Sequence, residues 1–251
     1  MIGICTVVYN KLDFVKRTVE AVLENTTPPY VYVLVFNDSP YPGVKEYVES
    51  LQPQRIKIIE NPSNYGVTKA YKQGLDWLKY QHFAWTPAPW KVKYFAKIDD
   101  DTIIQTKGWN EKMLEPFKYY KNLGILSANI DSGKQTGPFK KLFPAASNPD
   151  FHFSLEVFNN PCVGGACTVY PVELFEKIGF FKDFGYYGQE DGEFANRAVE
   201  TGYMTAYLRD VHCKHLGRTS ESDPLLDEWK LLAWSKKTDL EFRDWKKQKI
   251  K

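Results

Sequence analysis

The first hundred residues alternate between short, wholly apolar segments and segments with helical periodicity. The apolar segments are rich in β-branched residues, which is typical of strands buried on both faces. They cover residues 2–8, 31–36, 56–59 and 94–98. Between them, apolar residues recur at helical spacing over 12–25, 44–51 and 66–80. Because strands that alternate with helices usually pair in parallel, this order predicts an α/β domain with a mostly parallel central sheet flanked by helices.

The second half continues with strands and helices around a region rich in glycine and proline. That region, residues 131–150, predicts a long loop. Strands are expected at 162–170 and 204–208, and helices from 172, over 189–201 and over 225–235.

Composition limits the classes of protein to which the chain can belong. A net charge of +2 over 251 residues argues against a basic face of the kind that polynucleotide binding needs, and leaves room only for a local basic patch. Four cysteines are too few for a disulfide framework, and no segment approaches the ~20 apolar residues of a membrane span. The N-terminus lacks the features of a signal peptide. We therefore expect a cytoplasmic protein whose basic C-terminus is solvated or lies on a membrane surface.

Polar residues follow three of the predicted strands at the point where each strand ends. The first strand runs into Tyr9 and Asn10, the second into residues 37–39, and the fourth into three consecutive aspartates. In open parallel sheets, ligands bind beyond the carboxyl ends of the strands. These residues are therefore expected to line one rim of the sheet.

The consecutive aspartates Asp99, Asp100 and Asp101 are the strongest local signal for chemistry. Adjacent carboxylates repel one another unless a cation compensates them, and Mg²⁺ or Mn²⁺ joins carboxylates to substrate phosphates. Alternate residues at a strand end point the same way, so Asp99 and Asp101 can face one cation while Asp100 points elsewhere. A solvated acidic turn before a helix is the other interpretation.

In their order along the chain, the motifs resemble those of family 2 glycosyltransferases with the GT-A fold. In the first half they are Thr6-Val7-Val8-Tyr9-Asn10, Phe36-Asn37-Asp38-Ser39, Asn64-Tyr65-Gly66 and the three aspartates. Downstream they are Gly164-Gly165-Ala166, Glu176-Lys177-Ile178-Gly179-Phe180-Phe181 and Gln189-Glu190-Asp191-Gly192-Glu193-Phe194. The resemblance implies one GT-A domain over 1–220, with a nucleotide-sugar-binding half (1–105) and an acceptor-side half (106–220). A C-terminal helical extension would cover 221–251.

This resemblance implies that the chain moves a sugar from a nucleoside diphosphate sugar to the hydroxyl of a glycan or another acceptor. A UDP-sugar is the common donor, although GDP- and dTDP-sugars fit the same motifs. The residues implied to contact the donor nucleotide are Thr6, Tyr9, Asn10, Asp38, Asn64, Gly66, Lys69, Asp99 and Asp100. The implied ligands of Mn²⁺ or Mg²⁺ are Asp101, Asp99 and His215, with His212 as the alternative histidine. The implied catalytic residues are Asp191, as the general base of an inverting reaction, and Glu190, which would touch donor or acceptor hydroxyls.

Two other functions compete with this one. A sugar-nucleotide nucleotidyltransferase would show a glycine-rich, arginine-containing loop after the first strand, where this sequence has Tyr9-Asn10-Lys11-Leu12-Asp13. A non-catalytic nucleotide- or sugar-binding relative would keep acidic residues only for structure, and Asp191 also suits an ordinary acidic first turn of a helix. Release of diphosphate from a donor would separate an enzyme from a pure binder.

Overall fold

Strand β1 (Ile2–Val8) is buried along its whole length because helices cover both faces of the sheet to which it belongs. The structure, a computed structural model, describes residues 1–51, 56–80, 91–131, 138–143, 153–158, 161 and 164–250. The other strands are β2 (Tyr30–Phe36), β3 (Ile56–Glu60), β4 (Tyr94–Ile98), β5 (Thr102–Ile104), β6 (Leu123–Ile130), β7 (Phe139–Leu142), β8 (Leu155–Phe158), β9 (Cys167–Pro171) and β10 (Met204–His215). The helices are α1 (Leu12–Asn25), α2 (Val44–Ser50), α3 (Val67–Tyr80), α4 (Trp109–Leu114), α5 (Pro116–Tyr119), α6 (Val172–Ile178), α7 (Glu190–Glu200), α8 (Pro224–Trp234) and α9 (Phe242–Lys249).

The strands of the described residues form one sheet in the order β3-β2-β1-β4-β9-β6-β10-β8-β7, with β5 paired to β10. Strands β3, β2, β1 and β4 are parallel, as the alternation of strands and helices predicts. Beyond them β9 runs antiparallel between β4 and β6, so the second half of the sheet is mixed. The expected α/β fold with a central sheet flanked by helices is confirmed.

The two faces of the sheet carry separate apolar cores because the side chains of β1 alternate between them. Ile2, Ile4 and Val8 face the core that contains α1 and α2, while Cys5 and Val7 face the core that contains α3 and α7. Helix α3 packs closely on β1 at Gly74, where an added Cβ would lie 2.3 Å from the Cys5 sulfur. This packing fixes the strand ends from which the site is built.

Part of the loop predicted over 131–150 is a strand, β7, which pairs with β8. Its residues are mostly exposed, so the apolar pattern that reveals a buried strand is missing there. The remainder of that prediction, at 132–137 and 144–150, lies outside the described residues, as does the part of the predicted strand at 162–163.

The C-terminal helical pair, α8 and α9, packs over the carboxyl ends of the first strands. The Asp223 side chain caps α8 by accepting a hydrogen bond from the backbone N–H of Leu225 at 2.9 Å. Trp229 of α8 packs on Phe242 of α9 and on Tyr9 after β1, with ring centroids 5.8 and 6.4 Å apart. Across the described part of the chain, every helix is too short or too polar to span a membrane.

Candidate active site

A cleft opens where the carboxyl ends of β1 and β4 meet the start of α7, the end of β10 and helix α8. It is lined on the strand side by Tyr9, Asn10, Asn37, Asn64 and the three strand-end aspartates, Asp99, Asp100 and Asp101. It is also lined by His215 and Lys230, by Tyr187, and by the helix-start pair, Glu190 and Asp191. The structure therefore brings together most of the site residues that the sequence predicts.

Asp100 binds the protein's own backbone. The N–H groups of Tyr9 and Asn10 each donate to its Oδ2 atom at 2.6 Å, and the Asn10 side chain donates to Oδ1 at 3.2 Å. Burial and the charge of Asp101 raise the pKa of Asp100 to about 6, although the backbone hydrogen bonds oppose the shift. Its role in the structure is to join the end of β1 to the end of β4.

Asp99, Asp101 and His215 form the group most suited to a divalent cation. Among the described residues, one potential ligand atom from each lies within 4.8 Å of the others. Their oxygen and imidazole donors suit Mn²⁺, and oxygen donors suit Mg²⁺. The backbone leaves room for this group at Gly217, where an added Cβ would lie 2.2 Å from Asp101 Oδ2.

The register of β10 explains why His215 belongs to this group. The strand continues past the end predicted at residue 208 and pairs with β5, so that His215 lies opposite Thr102, next to Asp101. His215 Nε2 is 3.0 Å from Asp101 Oδ1. His212, the alternative histidine, is exposed, and its Nδ1 atom is 3.1 Å from the Asn129 side-chain amide.

Positive charges surround Asp101. Burial alone would raise its pKa, but His215 and Lys230 outweigh burial and hold the pKa of this carboxyl well below its usual range. Lys230 approaches from α8, with its Nζ atom 3.8 Å from Asp101 Oδ2. Burial alone would lower the pKa of Lys230, but the neighbouring Tyr187 and Asp101 outweigh burial and raise this pKa above its usual value.

The helix-start pair has a different environment. Asp191 Oδ2 lies 3.1 Å from Lys97 Nζ, whereas Asp191 Oδ1 and Glu190 Oε2 are buried without a hydrogen-bond partner among the described residues. Burial raises the pKa of Asp191 despite the opposing charge of Lys97. Burial and the charge of Asp191 raise the pKa of Glu190 to about 7. Glu190 can therefore exchange a proton near neutral pH.

Lys97 links the two acidic groups. It is 2% exposed, and its ammonium is 3.1 Å from Asp99 Oδ1, from Asp191 Oδ2 and from the carbonyl oxygen of Gly165. Burial would lower its pKa, but Asp191 and Asp99 raise it well above the usual value. Sequence reasoning missed this residue. The available signal was one lysine inside an otherwise apolar strand just before the aspartates, since a buried ammonium needs anionic partners.

A second, outer cleft of about 820 Å³ adjoins the first one. The two clefts share Tyr187, Glu190 and Asp191, so Asp191 stands where they meet. Gly165 lines the outer cleft beside Asp191, and an added Cβ there would lie 1.8 Å from Asp191 Oδ2. A molecule in the outer cleft can thus reach the same carboxylate as a molecule in the inner one.

Other residues predicted to contact a nucleotide lie at the edge of the cleft or are buried beside it. Thr6 is fully buried and accepts a hydrogen bond from the Tyr32 hydroxyl at 3.2 Å. Asn64 lines the cleft and accepts a hydrogen bond from the Asn37 amide at 2.8 Å. Gly66 has φ +81° and packs on the loop before α7, where an added Cβ would lie 2.6 Å from the Gly185 carbonyl oxygen.

Two further residues that the sequence predicts to contact the nucleotide, Lys69 and Asp38, form ion pairs with other residues of the protein. The exposed Lys69 ammonium lies 3.1 Å from Asp183. The Asp38 carboxylate pairs with the guanidinium of Arg243 on α9, which also donates to the Asp38 carbonyl oxygen at 2.9 Å. In the same region the Tyr9 hydroxyl donates to the Glu241 carboxylate. The C-terminal helical pair thus contacts two of the residues that the sequence assigns to the nucleotide.

The sequence matches the model of the family described as "Glycosyl transferase family 2" over residues 3–179. The chain belongs to glycosyl transferase family 2. The resemblance noted in the sequence is therefore confirmed. A search of curated protein sequences finds no match to the chain.

Solved structures of other glycosyltransferases with the GT-A fold share the architecture of this family 2 member. GalNAc-T7 with UDP, GalNAc and Mn²⁺ aligns with a TM-score of 0.67 and 14% identity, over 89% of this chain and 44% of that one. The mannosyltransferase PcManGT from Pyrobaculum calidifontis, in complex with GDP-Man and Mn²⁺, gives 0.60 and 14%, over 87% and 57%. S. aureus TarS 1-349 in complex with UDP-GlcNAc gives 0.60 and 14%, over 97% and 68%. The chain thus spans about half the length of the first two, and at this identity the likeness establishes the fold.

Proposed function

We propose that this protein transfers a sugar from a nucleoside diphosphate sugar, specifically a UDP-sugar, to an acceptor hydroxyl with inversion at the anomeric carbon. One observation supports this most strongly. The cation-binding group of Asp99, Asp101 and His215 shares a cleft with Asp191, and Asp191 also faces a second cleft of a size suited to an acceptor.

The strand-end side of the cleft suits a nucleoside diphosphate held through a divalent cation. Asp99, Asp101 and His215 would hold Mn²⁺ or Mg²⁺, because their ligand atoms converge and because Gly217 leaves them space. When bound, such a cation neutralises charge on the departing diphosphate. Asn64 and Tyr9 line this cleft and would contact the nucleoside, and Asp100 holds the Tyr9 backbone in place through a hydrogen bond.

The helix-start side of the cleft suits proton transfer from an acceptor. In the proposed reaction, the acceptor oxygen forms a bond to the anomeric carbon while the bond from that carbon to the diphosphate oxygen breaks. The electron pair leaves with the diphosphate, and Asp191 accepts the hydroxyl proton. Its Oδ1 atom has no hydrogen-bond partner in the described structure, while Lys97 fixes Oδ2 and thereby the orientation of the carboxylate. Glu190, buried beside it, would bind a sugar hydroxyl.

Calorimetry and a donor-turnover assay test this proposal together. UDP, GDP and dTDP are titrated into the wild-type protein with and without Mn²⁺. In the turnover assay, the release of each nucleoside diphosphate from the corresponding nucleoside diphosphate sugar is measured. We expect Mn²⁺-dependent binding that is strongest for UDP, together with slow release of UDP from a UDP-sugar. Binding without release would indicate a non-catalytic relative. If no nucleoside diphosphate binds when the metal is present, the proposal is wrong.

A further inference from the structure

We propose that Lys230, on helix α8, binds the diphosphate of the nucleotide-sugar donor. This inference rests on the proposed function and adds a binding residue to it. Lys230 lies outside residues 3–179, over which the family model matches, so the family match assigns it no role. It comes from the C-terminal helical pair, which the sequence predicts only as an extension to the GT-A domain.

The position of Lys230 is the first argument. Its ammonium points into the cleft that Asp99, Asp101, His215 and Asp191 line, and it lies 3.8 Å from Asp101 Oδ2. The side chain is only 20% exposed, whereas most lysines extend into solvent. A half-buried lysine at the proposed metal site is therefore placed where the charged part of the donor would lie.

The packing of α8 is the second argument, because it holds Lys230 at this place. The neighbouring Trp229 is 2% exposed and its indole N–H donates to the Leu240 carbonyl oxygen at 2.9 Å. The same indole packs on Tyr9, and the Lys230 ammonium lies 5.3 Å from the centroid of the Tyr187 ring. A preorganised cation costs less conformational entropy on binding an anion than a mobile surface lysine does.

The balance of charges is the third argument. Lys97, the other lysine that lines the cleft, already contacts Asp99, Asp191 and a backbone carbonyl. Lys230 has three N–H donors, and its distance to Asp101 exceeds that of a hydrogen bond. A divalent cation bound to Asp101 would repel the ammonium and leave it in need of another anion. The proposed reaction brings a diphosphate to this place.

The test compares a nucleoside diphosphate with its free nucleoside, because only the former carries the anion. Among UDP, GDP and dTDP, the one that the wild type binds best is titrated by calorimetry in Mn²⁺, followed by the matching nucleoside. The variants are Lys230→Met, Lys230→Arg and the control Lys249→Met, which removes an equally long lysine from the exposed end of α9.

We expect Lys230→Met to weaken binding of the diphosphate roughly tenfold or more and to leave nucleoside binding within about twofold, since charge-assisted hydrogen bonds to phosphate are among the strong ones. Lys230→Arg should recover most of the loss, and Lys249→Met should behave like the wild type. In addition, the diphosphate should protect Lys230 of the wild type from acylation, measured by mass spectrometry, whereas the nucleoside should not. Because this labelling experiment uses only the wild type, it tests the inference even if Lys230→Met does not fold.

Three outcomes contradict the inference without affecting the proposed function. In the first, the folded Lys230→Met variant binds the nucleoside diphosphate with wild-type affinity. In the second, its affinities for the nucleoside diphosphate and for the nucleoside fall by the same factor. In the third, the nucleoside diphosphate does not slow the acylation of Lys230 in the wild type. Failure of the wild type itself to bind any of the three diphosphates would instead overturn the proposed function.

Discussion

Two groups of carboxylates line the same cleft in surroundings that differ in charge. The strand-end aspartates follow β4, and the helix-start pair begins α7. Both groups are largely buried, so removal from water acts on each in the same direction. The charges beside Asp101 and beside Glu190 differ, and this difference gives the two carboxylates different pKa values and different chemistry.

Among the strand-end aspartates, Asp101 lies nearest to two cationic groups, with His215 Nε2 at 3.0 Å and Lys230 Nζ at 3.8 Å. Its pKa is low and the carboxylate stays ionised, which suits a metal ligand. The helix-start pair shares a single cation, Lys97, with the rest of the cleft. Burial and the charge of Asp191 outweigh Lys97 and raise the pKa of Glu190 to about 7, which suits proton exchange. Burial alone therefore does not define the role of a carboxylate, because the charges beside it also shift its pKa.

Replacing Asp101 should have the largest effect and tests the strand-end side of the comparison. Asp101→Asn removes an anionic ligand while keeping the shape of the side chain. Loss of the metal would remove several kcal/mol of stabilisation of the departing diphosphate, so kcat/KM should fall roughly 10⁴-fold. Mn²⁺-dependent binding of UDP, measured by calorimetry, should disappear with it. Wild-type affinity for UDP in this variant would show that Asp101 is not a metal ligand.

Replacing Asp191 should give a smaller loss with a different pattern. Asp191→Asn removes the proposed base, and kcat should fall roughly 10³-fold, within the usual range for general base catalysis. Binding of UDP and Mn²⁺ should stay within about threefold of the wild type, since the proposed ligands are untouched. In the wild type, the rate should rise with pH through the raised pKa of Asp191, because only the ionised form accepts a proton. Loss of UDP binding in Asp191→Asn would show that Asp191 contributes to donor binding, and that the two groups of carboxylates do not have separate roles.

A matched pair of glycine substitutions sharpens the comparison without changing any charge. Gly217→Ala places a methyl group 2.2 Å from Asp101 Oδ2, and Gly165→Ala places one 1.8 Å from Asp191 Oδ2. Each carboxylate must move, and a shift of about 1 Å can cost ~10²-fold. We expect Gly217→Ala to weaken Mn²⁺-dependent UDP binding, and Gly165→Ala to lower kcat while UDP binding stays close to that of the wild type. Gly164→Ala is the control, because its Cβ would be 3.3 Å from Ile130 Cδ1 and away from both carboxylates.

If both glycine variants lower kcat and UDP binding in the same proportion, the two sides of the cleft are not separable. If Gly164→Ala lowers kcat as much as Gly165→Ala does, the loss comes from a general distortion of the chain before strand β9 and not from a shift of Asp191.

The sequence predicts the first half of the fold and the centre of the site because both depend on local patterns. The buried strands and their polar ends give the parallel sheet and its rim, and the spacing of alternate residues places Asp99 and Asp101 together. Pairing β9 antiparallel between β4 and β6 is not a local property, so the periodicity of the chain does not reveal it.

Contacts made by the C-terminal helical pair were not predictable for the same reason. Arg243 and Asp38 are 205 positions apart, and Lys230 reaches Asp101 only because Trp229 and Phe242 pack α8 and α9 over the strand ends. On the helical pattern of 225–235, Lys230 has the appearance of an ordinary polar position beside the apolar stripe. The contact between Lys97 and Asp191 was also not predictable from local patterns, since the two residues are 94 positions apart in the chain.

The last and smallest expected effect concerns stability and tests the electrostatics of the helix-start pair directly. Glu190 has a pKa of about 7 in the folded protein, above the ordinary value of 4.5 that applies when the chain is unfolded. The folded state therefore holds this proton more tightly, so its contribution to stability is complete below pH 4.5 and is lost as the pH rises through 7. Glu190→Gln keeps the shape but cannot ionise, so it should stabilise the protein at pH 8, relative to its effect at pH 5, by on the order of 2 kcal/mol. Urea unfolding at the two pH values in the presence of a chelator measures this difference, with Glu200→Gln at the exposed end of α7 as the control. A wild type whose stability has the same pH dependence as that of Glu190→Gln would mean that Glu190 titrates normally, and that the two groups of carboxylates do not differ as their surroundings imply.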